Sequence, residues 1–343
     1  MRILVTGNLG YVGSVTSEFL RNDGYEVVGM DSGFYKDCLL IPINNEVNTK
    51  FKDIRDTEIS DFEGVEVVVH LAALSNDPIG ELDEKLTFEI NYLGAVRVAE
   101  MAKKVGVKKF IFVSTQSIYG ISSSVDELDE DNSIKNPQTA YASSKWKAEQ
   151  EILAMSDSNF TSTALRPSTV FGWSPRLRSD IVFNNLLLSG LKNNKIEVHS
   201  DGTPWRPIVH VTDLARAINF CVKSDAEIIS GRSFNIGVLN GNFTVKQLAE
   251  AAQECLAGIE IAYRTEKIVD PRSYKVSFRR SKIDLGFEAS VGLYAGGAEI
   301  VLEAKKLIAS GIELMDRKTN RLLQIKHLLE NGLIDTNLRF IQN

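Results

Sequence analysis

Cysteine is scarce in this chain: 343 residues hold only Cys38, Cys221 and Cys255. An odd number at wide spacing builds no disulfide framework and suits a reducing compartment. Histidine is equally thin. His70, His199, His210 and His327 are scattered, without metal-ligand spacing, so no metal site is expected. Excess positive charge is missing too: 39 Lys and Arg face 45 Asp and Glu, a net charge of −6. That argues against a sequence-independent nucleic-acid binder, which needs cations to displace counterions from phosphate. No apolar run reaches the roughly 18 residues that mark a membrane span. Met1-Arg2-Ile3-Leu4-Val5-Thr6-Gly7 runs straight into a glycine motif, leaving no room for a signal peptide. The expectation is a cytoplasmic protein with neither a membrane nor a nucleic-acid partner.

What is present is an ordinary globular balance, 43% hydrophobic and 24% charged, over a length that exceeds one compact core. Short β-branched runs at 3–5, 26–30, 66–71, 109–113 and 161–165 read as buried parallel strands. Helical patterns at 11–23, 82–105 and 140–156 alternate with them. The alternation predicts an α/β fold, a Rossmann-type doubly wound parallel sheet with a smaller C-terminal α/β substrate lobe. After Gly172 the rhythm loosens. Helices are predicted over 179–192, 213–223, 245–256, 298–310 and 317–330, and a strand at 233–236 can return to the sheet. The division expected is 1–172 plus roughly 208–238 for a dinucleotide-binding domain, 173–207 and 239–315 for a substrate domain, and 316–343 for a C-terminal helical extension.

Thr6-Gly7-Asn8-Leu9-Gly10-Tyr11-Val12-Gly13 lies between a predicted strand and a predicted helix. Glycines there permit a tight turn, close approach of backbone to a pyrophosphate and close packing of helix on strand. The helix N-terminus offers its unpaired N–H groups to the phosphates. Taken alone, the motif can equally be a glycine-rich turn without a ligand. Asp31 adds weight, because it ends the second strand eighteen residues after Gly13, where a carboxylate accepts both ribose hydroxyls and repels a 2′-phosphate. NAD is therefore expected over NADP. Asp53 and Ile54 are placed to flank the adenine, Asp53 being as readily a helix cap. After the fourth strand, Leu71, Ala72 and Ala73 supply small residues where backbone must pass close to the cofactor.

Tyr141-Ala142-Ser143-Ser144-Lys145 sets a tyrosine and a lysine four apart, on one helical face. A phenol of pKa about 10 is a poor base at neutral pH. A neighbouring ammonium favours the phenolate that could take a proton from an alcohol as hydride leaves its carbon. The bland alternative is an exposed surface pair. Thr115, in Ser114-Thr115-Gln116-Ser117, follows the fifth strand, at the carboxyl edge where open α/β sheets bind ligands; it is a substrate contact or a strand-end cap.

These motifs, in this order, resemble the extended short-chain dehydrogenase/reductases of the NAD-dependent epimerase/dehydratase family, over residues 1 to about 290. The resemblance implies a nucleotide-sugar substrate. It implies Tyr141 as general base and acid, Lys145 holding the nicotinamide ribose, and Thr115 bonding the substrate oxygen. It also implies Gly7, Leu9, Gly10, Tyr11, Val12, Gly13, Asp31, Asp53, Ile54, Leu71, Ala72 and Ala73 at the NAD, with Asn91 a structural or relay residue. On the substrate side it implies Ser117, Asn184 and Asn185, with Arg206 (in Thr203-Pro204-Trp205-Arg206) and Arg272 (in Asp270-Pro271-Arg272) at a diphosphate. Arg176 and Arg178 read as surface or mouth residues. A homodimer through helices 82–105 and 140–156 is expected. Family 4,6-dehydratases carry an Asp-Glu pair after the catalytic threonine. Here Gln116 and Ser117 stand there, neither titrating usefully near neutral pH, which points away from a dehydratase. The expectation is an epimerase acting at C4 through a transient keto sugar. A ketoreductase or dehydrogenase with net redox remains open, as does a non-catalytic NAD sensor or assembly subunit.

Overall fold

The computed structural model describes residues 1–43, 47–75, 83–122, 126–264 and 272–341. Its strands run β1 (Arg2–Thr6), β2 (Glu26–Asp31), β3 (Thr49–Phe51), β4 (Val67–His70), β5 (Lys109–Val113) and β6 (Thr161–Pro167). They continue as β7 (Thr169–Phe171), β8 (Lys195–Val198), β9 (Trp205–His210), β10 (Arg232–Ile236), β11 (Asn242–Thr244) and β12 (Glu260–Tyr263). The main sheet holds seven parallel strands in the order β10-β6-β5-β4-β1-β2-β3, the Rossmann arrangement expected. The predicted strand at 233–236 does return to it, pairing with β6.

Alternation along these strands serves two cores. Leu4, Val68, Phe110 and Phe112 face one side, under the helices Ala95–Val105 and Ala140–Ala154. Ile3, Val5, Val67, Val69, Ile111 and Val113 face the other, under the helix Val211–Lys223. A strand buried on both faces has no polar side to show, which is why these read as continuous apolar runs. Strand order reverses between β1 and β4, and the crevice at that point, beyond the carboxyl ends, is the natural place for a ligand.

The second lobe has a core of its own, gathering the helices Val182–Asn193, Val245–Cys255 and Leu293–Ala309. Beside it lie a sheet of β11, β9 and β7 and a pair of β12 with β8. Strand β9 crosses the division drawn at 207/208 and belongs to this small sheet. The last segment turns back: Ile325, Leu328, Ile334 and Leu338 join the first core, in one cluster with Met30, Phe34, Ile54 and Phe62.

Three helices depart from expectation. The pattern at 82–105 is broken. Its first residue, Leu82, lies outside the described residues, and Glu89–Gly94 forms π-helical turns between α-helical Glu84–Phe88 and Ala95–Val105. The helix expected from 298 already starts at Leu293, with Gly296 and Gly297 inside it. A Cβ at 296 would lie 2.6 Å from the Phe171 ring, and one at 297 would lie 2.8 Å from Cys255 Sγ, so these glycines permit close packing rather than ending the helix. The helix expected from 317 starts at Arg321, where Asn320 caps it by accepting from Leu323 N at 3.1 Å.

Candidate active site

A cleft of about 960 Å³ opens at the switch point and runs into the second lobe. That is near the upper end for a small-molecule site and roomy enough for two ligands. At its cofactor end the chain is shaped by glycine. Gly7 has φ +74°, and a Cβ there would sit 2.7 Å from Ala72 N; a Cβ at Gly13 would sit 2.0 Å from Gly7 O. Gly10 caps the helix Tyr11–Asn22 with no side-chain hydrogen bond, and no acidic residue occupies the first turn. The helix N-terminus is thus left for an external anion.

Asp31 ends β2 almost fully buried, accepting from Gly33 N at 2.8 Å and Leu9 N at 3.0 Å. Burial still pushes its carboxyl above the usual range, so it gains from further donors such as ribose hydroxyls. Asp53 is a cap after all: it accepts from Arg55 N at 2.8 Å and pairs with the Arg55 guanidinium at 2.7 Å, while also lining the cleft beside Ile54. Leu71, Ala72 and Ala73 form the adjoining wall. Asn91, on the π-helical turns, clasps the backbone next to them, accepting from Leu74 N at 2.7 Å and donating to Leu74 O at 3.1 Å.

Tyr141 and Lys145 lie one turn apart on the helix Ala140–Ala154 and line the same cleft as Thr115 and Ser117. Thr139 fixes the helix start, its hydroxyl accepting from Ala142 N at 3.2 Å. Thr115 accepts from Ser117 N at 3.1 Å. Lys145 is buried with its ammonium 4.1 Å from the centre of the Phe112 ring. Desolvation lowers it to about 7, with Glu149 pulling the other way. Gln116 faces the core: its amide donates to Arg166 O at 3.0 Å and accepts from Ser168 Oγ at 3.1 Å.

Of the residues expected around the cofactor, Leu9 does not line the cleft, because its side chain is carried round the turn while its N–H serves Asp31. On the substrate side Asn185 lines the cleft and Asn184 does not. The Asn184 amide is spent on the fold, accepting from Gly172 N at 3.2 Å and donating to Arg178 O at 2.9 Å. Arg206 and Arg272, expected from separate segments, meet: Arg206 Nη1 donates to Arg272 O, and Arg272 Nη1 donates to Ser117 Oγ at 3.2 Å. Asp270 and Pro271 lie outside the described residues.

Arg176 and Arg178 are not surface residues; they are 2% and 8% exposed. Arg178 lines the cleft, paired with Asp180 at 2.8 Å and donating to Ser75 O at 3.0 Å. Arg321 lines it too, 1% exposed, with its guanidinium 4.6 Å from the centre of the Tyr35 ring. Residues 176–179 are all buried, so no alternation along the segment marked Arg178. Nothing local marks Arg321.

Known proteins resemble this chain in sequence and in fold. Residues 3–237 match the model of the NAD dependent epimerase/dehydratase family. A putative UDP-glucose 4-epimerase of Methanocaldococcus jannaschii is 29% identical over 314 residues, 87% of this chain and 97% of that protein. The dTDP-D-glucose 4,6-dehydratase of Mus musculus is also 29% identical, over 280 residues, 78% of this chain and 77% of that one. Among solved structures, MoeE5 in complex with UDP-glucose and NAD is 27% identical with a TM-score of 0.77, covering 90% of this chain and 100% of that one. Among the described residues, no helix is long and apolar enough to cross a membrane.

Proposed function

Because the chain belongs to the NAD dependent epimerase/dehydratase family, we propose that it epimerises a nucleotide sugar, at C4, through a transient keto sugar. NAD, when bound, supplies a hydride acceptor that can return what it takes. The rest falls to this chain. Thr115 holds the sugar hydroxyl, and Tyr141, as phenolate, takes its proton as the carbon–hydrogen bond breaks. With NAD bound, the ketone would turn to offer its opposite face for hydride return, and Tyr141 would give the proton back. Atoms and electrons balance with no net use of cofactor. Lys145 holds the nicotinamide ribose and, when charged, favours the phenolate. Arg206 and Arg272 take the substrate diphosphate beside Ser117 and Asn185, at the mouth of the second lobe. Residues 1–172 with roughly 211–238 then carry most of the cofactor contacts, and 173–210 with 239–315 most of those to the sugar nucleotide.

The relatives include a dehydratase as similar as an epimerase, so the choice rests on one local observation. Elimination of water needs a titrating acid and base beside the threonine. The two positions after Thr115 hold an amide turned into the core and a hydroxyl.

The test is to incubate the protein with UDP-hexoses and dTDP-glucose, with and without NADH. Proton NMR follows the C4 configuration, and 340 nm absorbance follows reduced nicotinamide. Conversion to the C4 epimer without net absorbance change is expected. Stoichiometric use of NADH would mean a reductase, a 4-keto-6-deoxy product a dehydratase, and no turnover a sensor. Tyr141→Phe should abolish turnover and keep NAD binding; near-full activity would remove the tyrosine from the mechanism. We also propose a homodimer through the helices at 82–105 and 140–156. Leu93, 55% exposed between them and solvent, is its marker. Light scattering should give twice 38.0 kDa, and Leu93→Glu should give the monomer.

A further inference from the structure

Arg321 is a full positive charge in the wall of the cleft that, among the described residues, has no carboxylate within ion-pairing distance. Its donors reach backbone only, Nη2 to Arg176 O at 2.7 Å and Nη1 to Lys318 O at 3.3 Å. Tyr35, on the loop after Asp31, lies flat beneath it. Among the charges that act on it, the strongest is another cation, Arg178, with Asp180 opposing it. Arg178 faces the same cleft, and its own charge is matched by Asp180. Burial and then Arg178 push the Arg321 guanidinium below its usual value, with Tyr35, Cys38 and Asp180 offsetting them only in part. Such an arrangement is unfavourable until an anion enters.

The position identifies the anion. Arg321 acts electrostatically on Asp31 and on Tyr11, and Arg178 acts on Tyr11 as well. Tyr11 opens the helix Tyr11–Asn22, whose N-terminus is uncapped, and sends its phenol to Gly172 O at 2.8 Å, while Asp31 accepts from Leu9 N in the glycine turn just before that helix. Arg178 also holds Ser75, just past the small-residue wall Leu71-Ala72-Ala73. A diphosphate lying on the glycine turn would share one cleft with the helix N-terminus and with both guanidiniums.

We propose that Arg178 and Arg321 form a second seat for the diphosphate of the dinucleotide, so that the C-terminal segment, which lies beyond the family-matched residues 3–237, latches the cofactor in place. The latch is anchored around the same loop. Gln324 donates to Phe34 O at 3.0 Å, Phe340 stacks on Phe34 with centroids 5.8 Å apart, and Arg339 pairs with Asp53 at 3.2 Å. A recycled cofactor gains from such retention because it need not leave between turnovers.

Arg321→Met keeps much of the side chain's length over Tyr35 and removes the charge. Calorimetry on cofactor-stripped protein would compare adenosine, ADP-ribose, NAD and UDP. The proposal expects ADP-ribose and NAD to weaken by roughly 10- to 100-fold, the worth of a charged hydrogen bond, with adenosine and UDP unchanged. Equal loss for adenosine and ADP-ribose would make Arg321 merely structural. Loss for UDP alone would assign the seat to the sugar nucleotide, and no loss at all would leave it without a ligand; each overturns the proposal. Should Arg321→Met fail to fold, Arg321→Lys keeps the charge without the fork, and the wild-type protein offers a direct check. Its ADP-ribose affinity must fall steeply with salt while that of adenosine does not.

Discussion

Lys145 sits where catalysis and stability ask for opposite things. Buried against Phe112, its ammonium is lowered from 10.5 to about 7. Between those two values the unfolded chain holds a proton that the folded chain lacks, so this group makes stability rise with pH from about 7 to about 10.5. Below 7 both states are charged and the full penalty of burial stands. Lys145→Met should therefore raise stability at pH 6 by roughly 2–4 kcal/mol while abolishing turnover. Its advantage over the native protein should shrink as pH climbs toward 10, and urea melts at pH 6, 8 and 10 would show it. A constant difference would mean that burial does not hold the ammonium down. At Gln116 the opposite substitution is informative. Gln116→Glu turns a carboxylate onto the carbonyl of Arg166, where the amide now donates. It should cost roughly 2–4 kcal/mol and yield no eliminated product; appearance of a 4-keto-6-deoxy sugar would show that the position reaches the substrate.

Among the elements, the π-helical turns at Glu89–Gly94 set the wall of the cofactor cleft. They place Asn91, fully buried, where its amide satisfies both the N–H and the carbonyl of Leu74. Asn91→Ala leaves two buried backbone groups without partners, at a cost of roughly 2–4 kcal/mol. ADP-ribose should bind more weakly as the Leu71–Leu74 wall loosens; an unchanged melting temperature would contradict the account. The residues carrying this turn were not legible as such, because a single widened turn of six residues is too short to shift the apolar period of the helices around it. Strands β1, β2, β4, β5 and β6 were legible to within a residue or two, since burial on both faces favours short apolar or β-branched runs, unbroken in β4 and interrupted in β2 and β6. The glycine turn, Asp31, Thr115, Tyr141 and Lys145 were legible as a site because each is tied to a strand end or helix face by local spacing. Asn184 was misread: adjacent to Asn185 on one helix, it faces about 100° away, and only tertiary packing says which of the two meets the cleft. Arg321 was unreadable for a related reason. A lone arginine at a helix start is ordinary, and its burial depends on a segment that meets Phe34 and Tyr35 some 290 residues earlier.

At the scale of the molecule, the C-terminal segment is part of the first core rather than an appendage to the second lobe. Ile325, Leu328, Ile334 and Leu338 are all at most 6% exposed and share a cluster with Phe34, Ile54 and Phe62. Burying one such side chain is worth about 1.5–3 kcal/mol, and four together approach the whole net stability of an ordinary domain, about 5–15 kcal/mol. Arg55 adds a tie, donating to Asn337 O at 3.0 Å, and Gln324 adds another through Phe34 O. A chain ending at 315 should therefore lose more than the latch: it uncovers Phe34 and Ile54 on the side where adenine would lie. Its thermal melt should broaden and fall well below that of the full chain, with ANS binding at the freed surface. The point substitution Leu328→Ala should cost roughly 2–4 kcal/mol. If the truncated chain instead melts cooperatively near the native temperature, the first core closes without its last segment, and residues 316–343 serve the cofactor alone.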